Sequence, residues 1–482
     1  MLKRFLKDST LYSIPSFLSG IISILLVPLY TRVLSPADYG AIDIISVISS
    51  IVIATVSLQI TQAVARLWPD ASDPKEKVKY ATVALWFSVA TLGLSLVIGL
   101  LFSRNFSYWV FGTDGNELVF QLAVSAIFIV GIFNVLQNQL RWELKSVQSV
   151  TASIITLLVS VSVSIILVLV YRLGLIGVYS GTIIGNFIGV LVAVYYLRSS
   201  YGLVFSYTKL KEMLHYSIAL VPSAVGVYVA LYIDRIAIKE LMTLTDVGIY
   251  GVAFRLASVI GLVTAGVQGS LTPLIYNNYQ LPSTPGEVAR IYRYYLFFTL
   301  MVFMALGLFS QEILMVFTTP DYYEAYKIVP ILVAAIIING MYIFAPGLGI
   351  GKKTKTISAI YLFSAMLNIV LNFLLIPFFG VAGAALATVI GGLFQFFMYA
   401  GLGSKYYPIP FEVKRCILAS ISVIGLLILG MCIRTSFWLT VITKSLLSVG
   451  IFIFLFLVLI NLDERKRIII EAKKLLLKKK IV

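Results

Sequence analysis

The stretch SIITLLVSVSVSIILVLV, residues 153–170, contains no charged residue. A helix of about 20 such residues, rising 1.5 Å per residue, is long enough to cross a hydrocarbon core of about 30 Å. Comparable runs recur along the whole chain, whose mean hydropathy is +0.99 and whose 482 residues are 60% hydrophobic and 12% charged. Soluble domains carry about 25% charged residues. The sequence therefore predicts a polytopic integral membrane protein.

The apolar runs predict about fourteen transmembrane helices and an all-α fold. Lipid offers backbone amides no hydrogen-bonding partner, and the runs lack the alternation of barrel strands, so helices are the structure that fits. The predicted spans lie at about 11–31, 40–65, 80–102, 118–136, 149–171, 175–197, 213–234, 247–272, 294–312, 328–346, 356–376, 381–402, 416–433 and 445–462.

Basic residues predict the orientation. Most of the 37 lysines and arginines fall in segments on the same side as the N-terminus. The positive-inside rule then places both termini in the cytoplasm. The net charge of +16 is thus a topology signal, and without a basic extramembrane domain it does not indicate nucleic-acid binding. The inner clusters are Lys75/Lys77/Lys79, Lys352/Lys353/Lys355 and Lys405/Lys414/Arg415.

An internal repeat predicts how the spans are organised. Three sequence echoes recur at a spacing close to 206 positions, namely 12–14 with 216–218, 34–40 with 244–251, and 174–185 with 380–391. They predict two parallel six-helix bundles, 1–200 (spans 1–6) and 201–403 (spans 7–12), around a central cavity of the kind through which transporters alternate access. Residues 404–462 then hold two extra spans, and 463–482 form a basic amphipathic tail on the inner leaflet.

Enzymatic motifs are mostly absent. The nearest approach to a phosphate-binding loop, residues 347–354, lacks the required spacing and a preceding strand, and we interpret it as a basic inner turn. No residues have metal-ligand spacing, and the outer loops are too short for a catalytic domain. The sequence therefore predicts a transporter rather than an enzyme, with no cofactor and no metal.

Polar residues inside spans are expensive in lipid and mark candidate functional positions. Thr55, Gln59, Gln62 and Arg66 are spaced as one face of a helix, which predicts a cavity lining in span two. Arg255 is the only basic residue placed within a span. Because it lies near the outer side, it is expected either to face the cavity or to pair with an acidic residue. Four more charged residues lie toward the outer mouths, namely Arg32, Asp43, Asp234 and Arg235.

These residues lead to a family resemblance. The segment 28–40, PLYTRVLSPADYG, resembles the first-helix signature of polysaccharide flippases in the multidrug/oligosaccharidyl-lipid/polysaccharide exporter superfamily. Residues 367–377 with 380–388 resemble the eleventh and twelfth helices of that family. Residues 137–145 and the pair Asp234-Arg235 also fit.

The resemblance implies a flippase that moves a polyprenyl-diphosphate-linked oligosaccharide from the cytoplasmic to the outer face of the plasma membrane by alternating access. Its expected partners are membrane lipids and other polysaccharide assembly proteins. Arginine suits a diphosphate because its planar fork donates two parallel hydrogen bonds. The expected substrate-binding residues are Arg32, Gln59, Gln62, Arg66, Arg235 and Arg255, with Asp43 and Asp234 as ion-coupling or ion-pair residues.

Two alternatives remain at this point. An ion-coupled exporter of small drugs or metabolites would need an acidic residue deep within a helix to take up a proton or Na⁺. Asp43 and Asp234 are acidic, but both lie near the outer mouth with an arginine within reach. A membrane enzyme of glycan assembly would need catalytic loops, which the sequence does not provide.

Overall fold

The computed structural model describes residues 2–71, 73–202, 205–433 and 436–466. These residues form helices joined by short turns and contain no β-strand. Thirteen helical segments among them are long and apolar enough to cross a membrane, and Phe17–Tyr30 adds a shorter apolar one. Together they correspond to the fourteen predicted spans, so the all-α polytopic fold is confirmed.

The chain divides into two compact units, Met1–Val252 and Ala253–Val482. The helices of the first unit are α1 Leu2–Tyr30, α2 Pro36–Val56, α3 Ile60–Leu67, α4 Pro74–Leu101, α5 Ser103–Phe111, α6 Glu117–Trp142, α7 Ser146–Ile165, α8 Gly174–Tyr196, α9 Tyr207–Ser217 and α10 Val221–Leu241. The next helix, α11 Leu244–Ala257, begins in the first unit and ends in the second. The helices of the second unit are α12 Val259–Asn278, α13 Thr284–Leu308, α14 Ser310–Phe317, α15 Val329–Gly340, α16 Gly347–Ile350, α17 Thr354–Phe379, α18 Val381–Gly403, α19 Val413–Met431 and α20 Phe437–Leu459.

The unit boundary differs from the boundary between the sequence repeats. The seventh predicted span, α10, packs against α2 and therefore belongs to the first compact unit. The predicted division into residues 1–200, 201–403, 404–462 and 463–482 stays a prediction, and so does the central cavity. The predicted amphipathic tail covers residues 463–482, and its residues beyond position 466 lie outside the described part of the chain.

The internal repeat is visible in the helix pairs α7–α8 and α17–α18. A Cβ atom on Gly177 would lie 3.0 Å from the carbonyl carbon of Leu167, in the π-helical turn Ile166–Val170 that continues α7. A Cβ atom on Gly383 would lie 2.5 Å from the carbonyl carbon of Leu375 in α17. Small residues at such positions let membrane helices approach backbone to backbone. The two pairs thus use the same kind of contact at positions separated by 206 and 208 residues.

The two extra spans, α19 and α20, pack against α13. A buried lysine fixes this packing, because Lys444 of α20 is 3% exposed and its ammonium donates to the Leu308 carbonyl at 2.7 Å and to Glu312 at 2.6 Å. Near the start of α13, Arg293 pairs with Glu412 and with Glu464. The expectation that Arg255 alone among basic residues lies within a span is therefore wrong. Helices α13 and α20 start earlier than predicted, so they enclose Arg293 and Lys444.

We expect Lys444→Ala to lower the free energy of unfolding by about 3 kcal/mol, because it leaves the buried Glu312 carboxylate without its cation. The measurement is the melting temperature in detergent. Lys444→Met combined with Glu312→Leu should recover most of the loss, since a packed apolar pair often replaces a buried ion pair without cost. Arg290→Ala, which breaks an exposed pair with Glu287, is the control and should cost less than about 1 kcal/mol. Equal melting temperatures for both single variants would contradict the anchoring role.

Candidate functional site

Span two is a broken helix rather than a continuous one. Helix α2 ends at Val56, and the next helix begins only at Ile60. Between them Leu58 and Gln59 have left-handed φ angles of 47° and 54°, which side-chain-bearing residues rarely adopt. The side-chain Nε2 of Gln59 donates to the Ala54 carbonyl at 2.8 Å. It so satisfies a carbonyl that the end of α2 leaves without a hydrogen bond.

The break corrects the predicted polar stripe. Thr55 and Gln59 belong to the end of α2 and to the turn, whereas Gln62 and Arg66 belong to α3, so the four residues do not share one helix face. Gln62 is exposed, and Arg66 is 57% exposed beside Asp70. Exposed pairs of this kind contribute little stability. That these residues line a substrate cavity stays a prediction.

The opposite end of α2 is defined by a capping box that the repeat reproduces. The Ser35 amide donates to Asp38 Oδ2 at 2.9 Å, and the Asp38 amide donates back to Ser35 Oγ at 3.2 Å. At the start of α11, Thr243 and Asp246 make the same reciprocal bonds at 3.1 and 3.2 Å. Such a box satisfies two open donors at a helix start. The two boxes lie 208 positions apart.

The two capped helix starts cross through a pair of glycines. A Cβ atom on Gly40 would lie 2.0 Å from the Leu244 carbonyl oxygen, and one on Gly248 would lie 1.8 Å from the Pro36 carbonyl oxygen. Each glycine thus touches the repeat-equivalent backbone of the other helix. Any side chain would force the helices apart here, so glycine is required at both positions for this close approach.

A buried ion cluster lies beside the glycine crossing. Arg235 Nη1 is 3.1 Å from Asp234 Oδ1, and Arg235 Nε is 3.7 Å from Asp43 Oδ2. The Tyr250 hydroxyl donates to Asp234 Oδ2. The exposed fractions are 7% for each aspartate, 6% for Arg235 and 0% for Tyr250. Buried charges are tolerated when they are paired and hydrogen-bonded, as these are.

Aromatic residues complete the surroundings of the cluster. The Arg235 guanidinium carbon lies 5.7 Å from the ring centre of Tyr232 and 5.5 Å from that of Tyr250. Tyr179 of α8 is buried within electrostatic reach of Asp43, and its hydroxyl has no hydrogen-bond partner among the described residues.

The cluster is not copied by the repeat, although the helices that carry it are. At the 208-residue spacing, Asp43 corresponds to Gly251 and Arg235 corresponds to Val27. The charged group is therefore present in only one of the two repeats.

Two further predicted site residues, Arg32 and Arg255, differ in their exposure. Arg32 is exposed in the turn between α1 and α2, and Arg255 is half-buried in α11, where its carbonyl accepts from Ser258 Oγ at 2.7 Å. The structure brings Asp43, Asp234 and Arg235 together. Sequence reasoning missed Tyr250 and the glycine pair. Aligning the two capping boxes would have placed Gly40 opposite Gly248.

Comparisons with known proteins give the family. The sequence model of the family described as "Polysaccharide biosynthesis protein" matches residues 29–279, just over half of the chain. The chain is 21% identical over 418 residues to the "Probable low-salt glycan biosynthesis flippase Agl15" of Haloferax volcanii, covering 83% of this chain and 84% of that one.

Solved structures share the fold. A lipid II flippase MurJ in an inward closed conformation has a TM-score of 0.69 at 18% identity, covering 92% of this chain and 98% of its own. An inward-facing multidrug resistance MATE family transporter has a TM-score of 0.64 at 16% identity, covering 83% and 97%. These proteins are named as flippases and a transporter, in agreement with the prediction of a transporter rather than an enzyme. This multi-pass membrane protein therefore belongs to the polysaccharide biosynthesis protein family.

Proposed function

We propose that this protein moves a polyprenyl-diphosphate-linked oligosaccharide from the cytoplasmic to the outer face of the plasma membrane, with both termini in the cytoplasm. The observation that carries the proposal is the family match over residues 29–279. It is supported by a relative named as a glycan flippase over 83% of the chain and by a fold shared with a lipid II flippase.

The glycine crossing and the ion cluster are proposed to close the outer end of the path. While α2 and the start of α11 touch through Gly40 and Gly248, the cluster is buried and Arg235 is held by two carboxylates. In the proposed alternating access, movement of α2 away from α10 would take Asp43 from Arg235 and free that edge of the guanidinium for a diphosphate. Tyr179 is then the donor available to Asp43.

The other predicted site residues are proposed to act in sequence along the path. Arg66 is exposed at the inner end and meets the diphosphate first, near the polar side chains of Gln59 and Gln62. Arg255 receives the anion next, and Arg32 and Arg235 hold it toward the outer side. Asp43 and Asp234 serve as the ion-pair partners that reclaim Arg235 after release.

A reconstituted flipping assay tests the function. Purified protein in liposomes should make a fluorescent polyprenyl-diphosphate disaccharide in the inner leaflet accessible to an external quencher faster than empty liposomes do. A polyprenyl monophosphate without sugar is the matched substrate control. Accumulation of cationic drugs driven by a proton or Na⁺ gradient, with no flipping of the glycolipid, would favour the small-molecule exporter instead.

We expect Arg255→Ala to abolish glycan export while membrane abundance stays near the wild-type level. The reason is that a cation in low dielectric is required for the anion, and Arg255→Lys should rescue export partly because it keeps the charge but loses the fork. Export and protein level are measured in the same cells. Depletion of the protein itself would assign Arg255 to folding, and normal export at normal abundance would remove it from the path.

A further inference from the structure

The turn that follows α16 repeats, in backbone, the turn that follows α6. In each turn one non-glycine residue is left-handed, Lys352 with a φ of 53° and Leu144 with a φ of 56°. In each, the amide of the next residue donates to the carbonyl five residues earlier at 2.9 Å. The two left-handed residues lie 208 positions apart. Comparing the two turns therefore shows which side chains the backbone of the turn requires and which it does not.

The two turns differ in charge. In the first turn Glu143 lies 2.7 Å from the Lys145 ammonium, which neutralises that lysine. The position equivalent to Glu143 is Gly351, so the second turn has lost its acid. It also carries additional lysines at 352 and 355, where the first turn has leucine and valine. The fold makes the same turn without these lysines, so their charge is not a requirement of the backbone.

A fourth lysine is held next to this turn. A Cβ atom on Gly347 would lie 2.0 Å from the Gly403 carbonyl oxygen, so the segment that leads to Lys405 packs directly on the turn. The Lys353 ammonium lies 5.3 Å from the ring centre of Tyr406, which is 45% exposed.

The sequence around these lysines is free of acidic residues, because no aspartate or glutamate occurs between positions 324 and 412. The ion pairs formed within the part of the chain that the structure describes include none of the four lysines. All four side chains are exposed. Among the described residues, the turn therefore presents a concentrated positive charge that no acidic side chain pairs with.

We propose that the lysine turn, defined as Lys352, Lys353, Lys355 and Lys405, binds the phosphate of an anionic phospholipid headgroup. The turn follows the tenth span, so in the proposed orientation it faces the cytoplasmic leaflet, whose surface is negative. Lysines act as compact point charges for phosphate, and an exposed tyrosine suits the headgroup region. The inference rests on the orientation and not on which glycan is carried.

Native mass spectrometry of the full chain with added phosphatidylglycerol tests the site. The variant Lys352→Gln/Lys353→Gln/Lys355→Gln should retain phosphatidylglycerol roughly 100-fold more weakly, since each lysine near an anionic surface contributes about a factor of five. The matched control is Lys75→Gln/Lys77→Gln/Lys79→Gln, which removes the same charge from another inner segment. It should stay within about twofold of the wild type, because Asp73 and Glu76 already offset the charge of those lysines.

Two outcomes would overturn the assignment. Equal weakening by both triple variants would show a general charge effect rather than a site. Displacement of the phosphatidylglycerol by an equal concentration of polyprenyl diphosphate would assign the lysines to the transported lipid. Failure of glycan flipping in the liposome assay would leave this lipid measurement unchanged, so the two proposals are tested separately.

Discussion

Replacement of Arg235 by alanine is expected to abolish export and to deplete the folded protein. The change removes the guanidinium that Asp43 and Asp234 share in a site where each aspartate is 7% exposed. Breaking a buried ion pair by removing one partner costs about 3–5 kcal/mol, and here two carboxylates are affected. The measurement is the melting temperature of purified protein together with export in cells.

Neutral partners separate folding from transport at this position. Arg235→Met with Asp43→Asn and Asp234→Asn removes the stranded charges and should restore abundance, but export should stay absent because no cation reaches the diphosphate. Arg235→Lys should keep abundance near normal and export in part. Wild-type export by the neutral triple variant would show that the cluster is structural only.

Replacement of Gly40 by alanine is expected to prevent closure of the α2–α11 crossing. The new Cβ atom would lie 2.0 Å from a backbone oxygen, which cannot rotate away as a flexible side chain can. Export should fall by at least about 100-fold, because alternating access requires the closed state to be populated and a barrier change of about 2.7 kcal/mol already gives that factor.

Thiol labelling reports on the closure directly. A single cysteine at Ile44, which is 1% exposed, should react slowly with an impermeant reagent in the parent protein and about tenfold faster beside Gly40→Ala. Gly226→Ala is the matched control, since a Cβ atom there has no neighbour within 4 Å. Unchanged labelling and unchanged export in Gly40→Ala would refute a role for the crossing in closure.

The starts of α2 and α11 are equivalent in the repeat, whereas the ion cluster beside them is not. The repeat builds two equivalent capped helix starts and lets them meet at equivalent glycines, as a close twofold contact requires. The group of Asp43 with Arg235 has no counterpart at the repeat-equivalent positions and so breaks this symmetry. The proposed gate at the outer end of the path depends on that asymmetric charge beside the symmetric contact.

The sequence by itself determined the membrane class, the number of spans and the repeat. Hydropathy suffices for the class and the spans, because lipid forces every apolar run of this length into a helix whatever its neighbours are. The repeat follows from sequence motifs that recur about 206 positions apart. The sequence also named Asp43, Asp234 and Arg235 among the charged residues near the outer mouths of the spans, where charges are costly and therefore informative.

Only the tertiary structure decided which of those residues meet and where the helices break. Arg235 reaches Asp43 because α10 packs on α2, a contact between segments that are far apart in sequence and leave no periodic signal. The break at Leu58 and Gln59 contains no glycine or proline, so local preference predicts a continuous helix. In the structure the Gln59 side chain bonds to the Ala54 carbonyl and stabilises the break. Lys444 is buried because Glu312 and the Leu308 carbonyl satisfy it, and a partner in another helix cannot be read from hydropathy.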